Sequence, residues 1–402
     1  MPDFQLIAAD NHVCEHPAAW ERAQKIYPDR APRVVKDPQG YGKGLWIFFD
    51  ENIAPARAAY YPMGLVVDHA HKHATHGGTE EEAAAYKKRI QDYNENFTFE
   101  DYPGGWEPSA YLKNMDLDGI EACLLFSSPT RYEYSSKDPE FQRCVFNSFN
   151  DWLLDFAHYA PKRFFPVPLI SILDPEKGAA DIRDYARRGV KTVQIPTRII
   201  DSGWYEPIYE PIWQAAEETG IVLNIHHNSD QGANRQKGKG RTTLTGARDT
   251  DPRKEIMTGP QNLPAITCIS NMIFSGVFDR YPKLKLAVSE FKINWVAGLV
   301  QNLDYSLQRG STYDPERNLY KRRPSEYFPD NIFFTFENDR AGILTTPVFG
   351  ENNFMFAADY PHHVSTWPNS QATLDANCAG MPAALMRKVG RDNANRVFNL
   401  GL

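Results

Sequence analysis

Carboxylate and imidazole side chains recur in this chain in short phrases that close apolar runs: Asp10-Asn-His12-Val-Cys-Glu15, Asn224-Ile-His226-His227, Ser289-Glu290, Glu337-Asn-Asp339 and Asp359-Tyr-Pro-His362-His363. Imidazole nitrogen and carboxylate oxygen suit zinc, manganese or iron, and a catalytic ion takes about three or four such ligands while leaving a position for water. Asp10 and His12 stand two residues apart, so on a strand both project to the same side and can close on one ion. His226 and Asp359 would enter from across a common mouth, with Glu290 between them. Glu15 has two readings of equal weight, ligand of a second ion or ion-pair partner of an arginine. Glu290 shares that ambiguity, tilted towards the site by its place at a strand end. His362, three residues past Asp359, is placed to reach substrate or to act as acid and base. His227 should face away from His226, and His363 reads as structural.

These phrases need elements that bring their ends together. Eight β-rich apolar runs precede or lie between them: Gln5 to Ala9, Ile120 to Phe126, Phe164 to Ile170, Val190 to Ile195, Ile221 to Ile225, Leu284 to Val288, Asn331 to Phe336 and Phe354 to Ala358. Segments with a 3.6-residue apolar period alternate with them: Asn147 to Tyr159, Pro175 to Arg188, Ile208 to Thr219, Ile269 to Tyr281 and Ile293 to Leu307. Strand-helix repetition means a parallel sheet, and eight strands without a G-x-G-x-x-G turn favour an α/β fold of the closed (β/α)8 TIM-barrel type, which builds its site where strands end. The expected organisation is a single barrel domain over residues 1–402, with a long insertion after strand one (residues 21–107, an arm or cap) and a long loop after strand five (residues 228–262).

Other features narrow the function. A formal charge of −7 argues against a nucleic-acid partner. The 5 cysteines lack C-x-x-C spacing, so no disulfide framework or thiolate zinc site is suggested. No apolar run reaches the roughly 18 to 20 residues of a membrane span, and the chain is expected to be cytoplasmic and to act on a small molecule. His69-Ala-His71-Lys-His73-Ala-Thr-His76 mimics a metal motif, but Gly77-Gly78 and Glu80-Glu81-Glu82 follow it, so a solvated or interface segment is the reading adopted. The basic residues from Arg235 to Lys254 read as a solvated loop that could capture a carboxylate.

Three phrases carry a resemblance: Ala9-Asp10-Asn11-His12-Val13-Cys14-Glu15-His16-Pro17, Met115-Asp116-Leu117-Asp118-Gly119-Ile120-Glu121-Ala122 and Ala358-Asp359-Tyr360-Pro361-His362-His363. With the stretch from Gly276 to Leu286 and the ending from Asn393 to Phe398, they resemble the amidohydrolase superfamily, specifically its second large branch. The resemblance implies a metal-dependent barrel enzyme in a branch of hydrolases, non-oxidative decarboxylases, hydratases and, more rarely, dinuclear iron oxygenases. It implies Asp10, His12 and His226 as ligands and Asp359 as ligand or proton acceptor. Two departures matter. Asp-x-His replaces His-x-His, and Glu290 stands where the branch's decarboxylases have a catalytic histidine, which weakens decarboxylation. Gln194-Ile-Pro196 offers no lysine to bridge two ions.

The first expectation is therefore a metal-dependent hydrolase or lyase, with zinc foremost, a metal set of Asp10, His12, Glu15, His226, Glu290 and Asp359, and Asp359 and His362 as catalytic groups. A second is an oxygenase holding two irons or iron with manganese, since the carboxylates outnumber the needs of one zinc. A third is a non-catalytic barrel that pairs with a related active subunit through the arm; a homo-oligomer or hetero-oligomer is expected in general.

Overall fold

The computed structural model describes residues 4–41, 43–50, 53–56, 79, 81, 85, 88, 91–93, 95–199, 202–231, 262–313, 322–362 and 364–402. The histidine cluster at 69–76, the basic loop at 235–254 and His363 lie outside the described residues. Among the described residues, no helix is long and apolar enough to cross a membrane.

The strands, in chain order, are β1 (Leu6–His12), β2 (Arg33–Lys36), β3 (Leu45–Phe48), β4 (Ile53–Pro55), β5 (Ile120–Phe126), β6 (Phe164–Pro166), β7 (Thr192–Ile195), β8 (Val222–His226), β9 (Leu286–Ser289), β10 (Ile332–Phe336) and β11 (Phe354–Phe356). β2, β3 and β4 form a small antiparallel sheet inside the insertion after β1. The other eight are parallel and run in two arcs, β1-β5-β6 and β7-β8-β9-β10-β11. Two seams close the ring. At one, Ile170 N–H donates to Gln194 O (2.9 Å) and Gln194 N–H to Pro168 O (2.8 Å); at the other, Asp359 N–H donates to Asp10 O (2.9 Å) and His12 N–H to Tyr360 O (2.7 Å). The result is a (β/α)8 barrel with helices on the connections.

Local chemistry sets the helix starts. Asp138 and Asp174 cap Pro139–His158 and Pro175–Arg187, each accepting a backbone N–H of the first turn, and Glu107 does the same for Pro108–Asp118. Helix Pro139–His158 thus begins well before the expected Asn147, because the Asp138-Pro139 pair starts it. The helix expected from Ile269 to Tyr281 is instead Leu263–Phe274 followed by Val277–Arg280, broken at Gly276, whose φ of 71° ends the first segment. The third barrel strand is shorter than expected, since Pro166 and Pro168 carry no N–H for the ladder.

Ile7, Ala9, Leu124, Phe126, Val167, Val222, Ala287, Phe333 and Met355 pack against one another inside the ring, forming a dry floor beneath the strand ends. β1 departs from simple alternation. Ala8 pairs with Cys123 and Asn11 with Leu125, so three steps on β1 face two on β5. This bulge shifts the inward face from Ile7 and Ala9 to Asp10 and His12. Without it, strict alternation from Ile7 would turn Asn11 inward.

Asn150 ties the helix layer to the first seam: its Nδ2 donates to Leu169 O (2.9 Å) and Tyr185 Oη (2.9 Å), and its Oδ1 accepts Leu169 N–H (2.8 Å). Asn150→Ala leaves those buried partners unpaired, and urea denaturation should register a loss of about 2–4 kcal/mol. A loss under about 0.5 kcal/mol would mean that the seam closes without it.

Candidate metal centre

The ends of β1, β8, β9, β10 and β11 converge on one cup. Asp10 and His12 come from β1, His226 from β8, Glu290 follows β9, Glu337 follows β10, and Asp359 lies three residues past β11. Asp10, His12, His226 and Asp359 are fully buried. Glu290 and Asp359 are held at φ of 64° and 54°, a left-handed backbone that costs a non-glycine residue roughly 1 kcal/mol or more. Each turns its carboxylate back over the barrel mouth.

The imidazoles are pre-set by their Nδ1 atoms. His12 Nδ1 lies 3.0 Å from Ser127 O, and His226 Nδ1 lies 3.0 Å from His227 O. A carbonyl oxygen only accepts, so each Nδ1 carries the proton and each Nε2 presents a lone pair. Those two Nε2 atoms face each other at 3.1 Å. Asp10 Oδ1 is 3.5 Å from both, and Asp359 Oδ1 is 3.3 Å from His12 Nε2. No hydrogen-bond donor reaches any of the four carboxylate oxygens of Asp10 and Asp359. Lone pairs and buried carboxylates left facing one another are mutually repulsive unless a cation sits among them. Ligand atoms bound at about 2.0–2.2 Å around one ion stand at such separations. Asp10, His12 and His226 therefore fit a divalent ion, and His12, Asp359 and His362 form a second group of possible ligands that shares His12.

The electrostatics agree. Burial, reinforced by Glu337, pushes the Asp10 carboxyl well above its usual range, and burial with Glu290 and Asp10 does the same to Asp359. Burial pulls His12 well down, aided by His362 and His226, and brings His226 to about 4, so both imidazoles stay neutral, the form that ligates. Glu290 is also raised by burial, while His226 and Arg131 oppose the rise.

Further polar groups surround this centre. His362 stacks on His12 with ring centres 4.0 Å apart, its Nδ1 3.5 Å from Asp359 Oδ1 and its Nε2 3.0 Å from Ser128 Oγ. Glu290 Oε2 sits 3.4 Å from the Nδ1 of His226, on the side away from the facing Nε2 pair. Glu15 anchors a loop through one oxygen: its Oε1 accepts Ser127 Oγ–H (2.8 Å), Ser128 N–H (2.9 Å) and Thr130 N–H (3.2 Å), clamping the loop after β5, while its Oε2 is buried without a partner. Burial still raises its carboxyl to about 7 against those bonds. His227 turns to the rim, edge-on to Phe291.

Three further residues act on the carboxyls of this site: Glu337, Arg131 and Lys292. Glu337 ends an apolar run like the others, but its residue type alone does not separate ligand from neighbour. Arg131 and Lys292 lie on loops one short step past β5 and β9, where nothing in the sequence marks a basic side chain as turning inward.

A profile described as amidohydrolase matches residues 68–400. The chain belongs to the amidohydrolase family. This amidohydrolase is 24% identical over 184 residues to a 2-amino-3-carboxymuconate-6-semialdehyde decarboxylase of Dictyostelium discoideum, a match covering 45% of the chain and 46% of that relative. The chain thus aligns with under half the length of that relative. Among solved structures, an amidohydrolase of Mycobacterium avium subsp. paratuberculosis K-10 superposes with a TM-score of 0.78 at 20% identity, covering 99% of this chain and 100% of that one. A variant 5-carboxyvanillate decarboxylase of Novosphingobium aromaticivorans DSM 12444, with bound manganese and 3-methoxy-4-hydroxy-5-nitrobenzoic acid, reaches 0.63 at 19% identity, covering 99% and 97%. The two solved structures share the fold of this chain.

Asp10→Asn should lower bound Mn2+ by at least about tenfold, because the ion loses an anionic ligand. Glu15→Gln should retain it, since a Gln oxygen still accepts from the loop. Equilibrium dialysis of the two variants decides; loss of Mn2+ in Glu15→Gln with the fold intact would return Glu15 to the ligand set.

Proposed function

We propose that this amidohydrolase is a divalent-metal-dependent lyase that releases CO2 from a small carboxylated aromatic acid. The facing Nε2 atoms of His12 and His226, flanked by carboxylate oxygens without donors, carry the metal part of this reading. The lyase part draws on the decarboxylases among the relatives. Two carboxylates with two imidazoles suit manganese at least as well as the zinc expected from sequence.

Asp10, His12, His226 and Asp359 would hold the ion, which when bound supplies Lewis-acid attraction for the substrate's carboxylate or a neighbouring oxygen. The remaining work is proton transfer. In R–CO2⁻ + H⁺ → R–H + CO2, the electron pair of the broken C–C bond stays on carbon and takes up one proton. His362 is placed to deliver it. The hydroxyl of Ser128 donates to Val13 O (2.8 Å), so its oxygen accepts from His362 Nε2 and fixes the ring. Asp359 Oδ1 lies 3.5 Å from His362 Nδ1. The histidine missing at the end of β9, where Glu290 stands, is thereby replaced as a proton source from the end of β11.

A panel of hydroxybenzoic acids with Mn2+-loaded protein should identify a substrate that evolves CO2, and in D2O the product should carry one deuterium at the vacated carbon. His362→Gln should lower kcat by about 10²–10⁴ while leaving Mn2+ binding unchanged. Turnover of amides or lactones with no CO2 from any carboxylic acid would sink the lyase reading in favour of hydrolysis.

A further inference from the structure

Arginines in this chain meet carboxylates along one edge of the guanidinium. Arg143 donates from Nε and Nη2 to the two oxygens of Asp181 (2.8 and 2.6 Å), and Arg30 donates from the same two atoms to those of Asp50 (3.2 and 2.8 Å). The planar fork matches the carboxylate in spacing, so two parallel charge-assisted bonds form together. Arg131 is buried where those two are half-buried, and it leaves that edge open.

Its other contacts hold it in place. Arg131 Nη1 donates to Ser127 O, its backbone N–H donates to Ser127 Oγ (3.0 Å), and the guanidinium carbon lies 5.9 Å from the ring centre of Tyr132. Nε is buried without a partner, and Nη2 donates to none of the described residues. A buried cation with open donors is costly unless a ligand pairs with it. With one nitrogen tied to a carbonyl, the remaining edge is aimed before any ligand arrives.

The guanidinium belongs to the cup. The oxygen of Ser127 that takes the Arg131 Nη1–H is the same one that lies 3.0 Å from His12 Nδ1, so a single carbonyl separates the cation from a centre-facing imidazole. Arg131 lowers the carboxyls of Asp10, Glu15 and Glu290, yet among the described residues no carboxylate forms an ion pair with it. A ligand for this edge must be anionic, planar and able to accept two parallel hydrogen bonds. A carboxylate meets all three conditions, whereas an amide of the same shape has one acceptor oxygen and no charge.

We propose that Arg131 is a specificity-determining residue of this site and binds a carboxylate of the substrate side-on through Nε and Nη2. The inference rests on the reading above in taking the cup as the substrate site, and it does not depend on the release of CO2.

Salicylate and its neutral counterpart salicylamide are the probes, with binding to the Mn2+-loaded protein measured by isothermal titration calorimetry. Arg131→Gln should weaken salicylate by about 10- to 100-fold, and salicylamide by less than about twofold, because only the carboxylate loses two charge-assisted bonds. Arg131→Lys, which keeps the charge without the fork, should fall between wild type and Arg131→Gln. Circular dichroism confirms that both variants are folded, and equilibrium dialysis that both retain Mn2+. Equal weakening of the two probes, unchanged salicylate binding in Arg131→Gln, or no salicylate binding to wild type would overturn the proposal. Loss of Mn2+ from both folded variants would also overturn it, making Arg131 a support for His12 instead. Arg131-dependent binding of salicylate, with no CO2 released from any acid, would leave this inference standing and overturn the lyase reading alone.

Discussion

Like charges crowded into a water-poor cup are the constraint to which the rest of this structure answers. Two unit charges about 4 Å apart interact by roughly 4 kcal/mol at the effective dielectric near a protein surface. Asp10, Glu290, Glu337 and Asp359 multiply that repulsion several-fold unless cations are supplied or protons taken up. Arg131 and Lys292 offset part of that repulsion, and two neutral imidazoles aim their Nε2 lone pairs inward. The same geometry that would be destabilising in an empty cup becomes a ligand set when a cation is present, so folding energy is converted into affinity for the ion.

Holding such a set requires backbone that ordinary strands do not provide. The bulge in β1 moves Asp10 and His12 onto the inner face together, and left-handed residues at Glu290, Lys292 and Asp359 redirect side chains that would otherwise follow the strand outward. These conformations persist because their surroundings over-determine them. Asp359 N–H is tied to Asp10 O across the closing seam, Glu290 N–H to Thr335 Oγ1, and the turn at Lys292 to Asp339. Glu15, buried a step below, keeps the loop that presents Ser127 O to His12 and Ser128 Oγ to His362. Barrel closure and site geometry are thus one set of hydrogen bonds seen from two sides.

Much of this was legible in the residues. All eight barrel strands overlap the β-rich runs, because a strand buried on both faces must be apolar through its length. Asp10, His12, His226, Glu290 and Asp359 were found as candidates by one rule, that polar residues ending buried strands meet at the barrel mouth. Glu15 keeps both of its readings, because three loop donors claim its Oε1 while its Oε2 is buried without one. The differences between sequence and structure have equally physical sources. Helix Pro139–His158 starts at its Asp138-Pro139 cap and not where the apolar period begins, and the third barrel strand ends early because Pro166 and Pro168 carry no N–H for the ladder.

The sequence by itself determined the alternation of strand and helix, the residue types available at each strand end and the negative balance of the site, since these are properties of local pattern and composition. Only the tertiary structure decided which nitrogen of each histidine faces the centre, that Glu15 serves a loop, and that Arg131, Lys292 and Glu337 belong to the same cup. Those facts depend on a one-residue bulge, a few left-handed backbone angles and carbonyl partners up to 115 residues away, as with His12 and Ser127. Long-range hydrogen bonds leave no periodic trace in the chain, so nothing in it could announce them before the barrel closed.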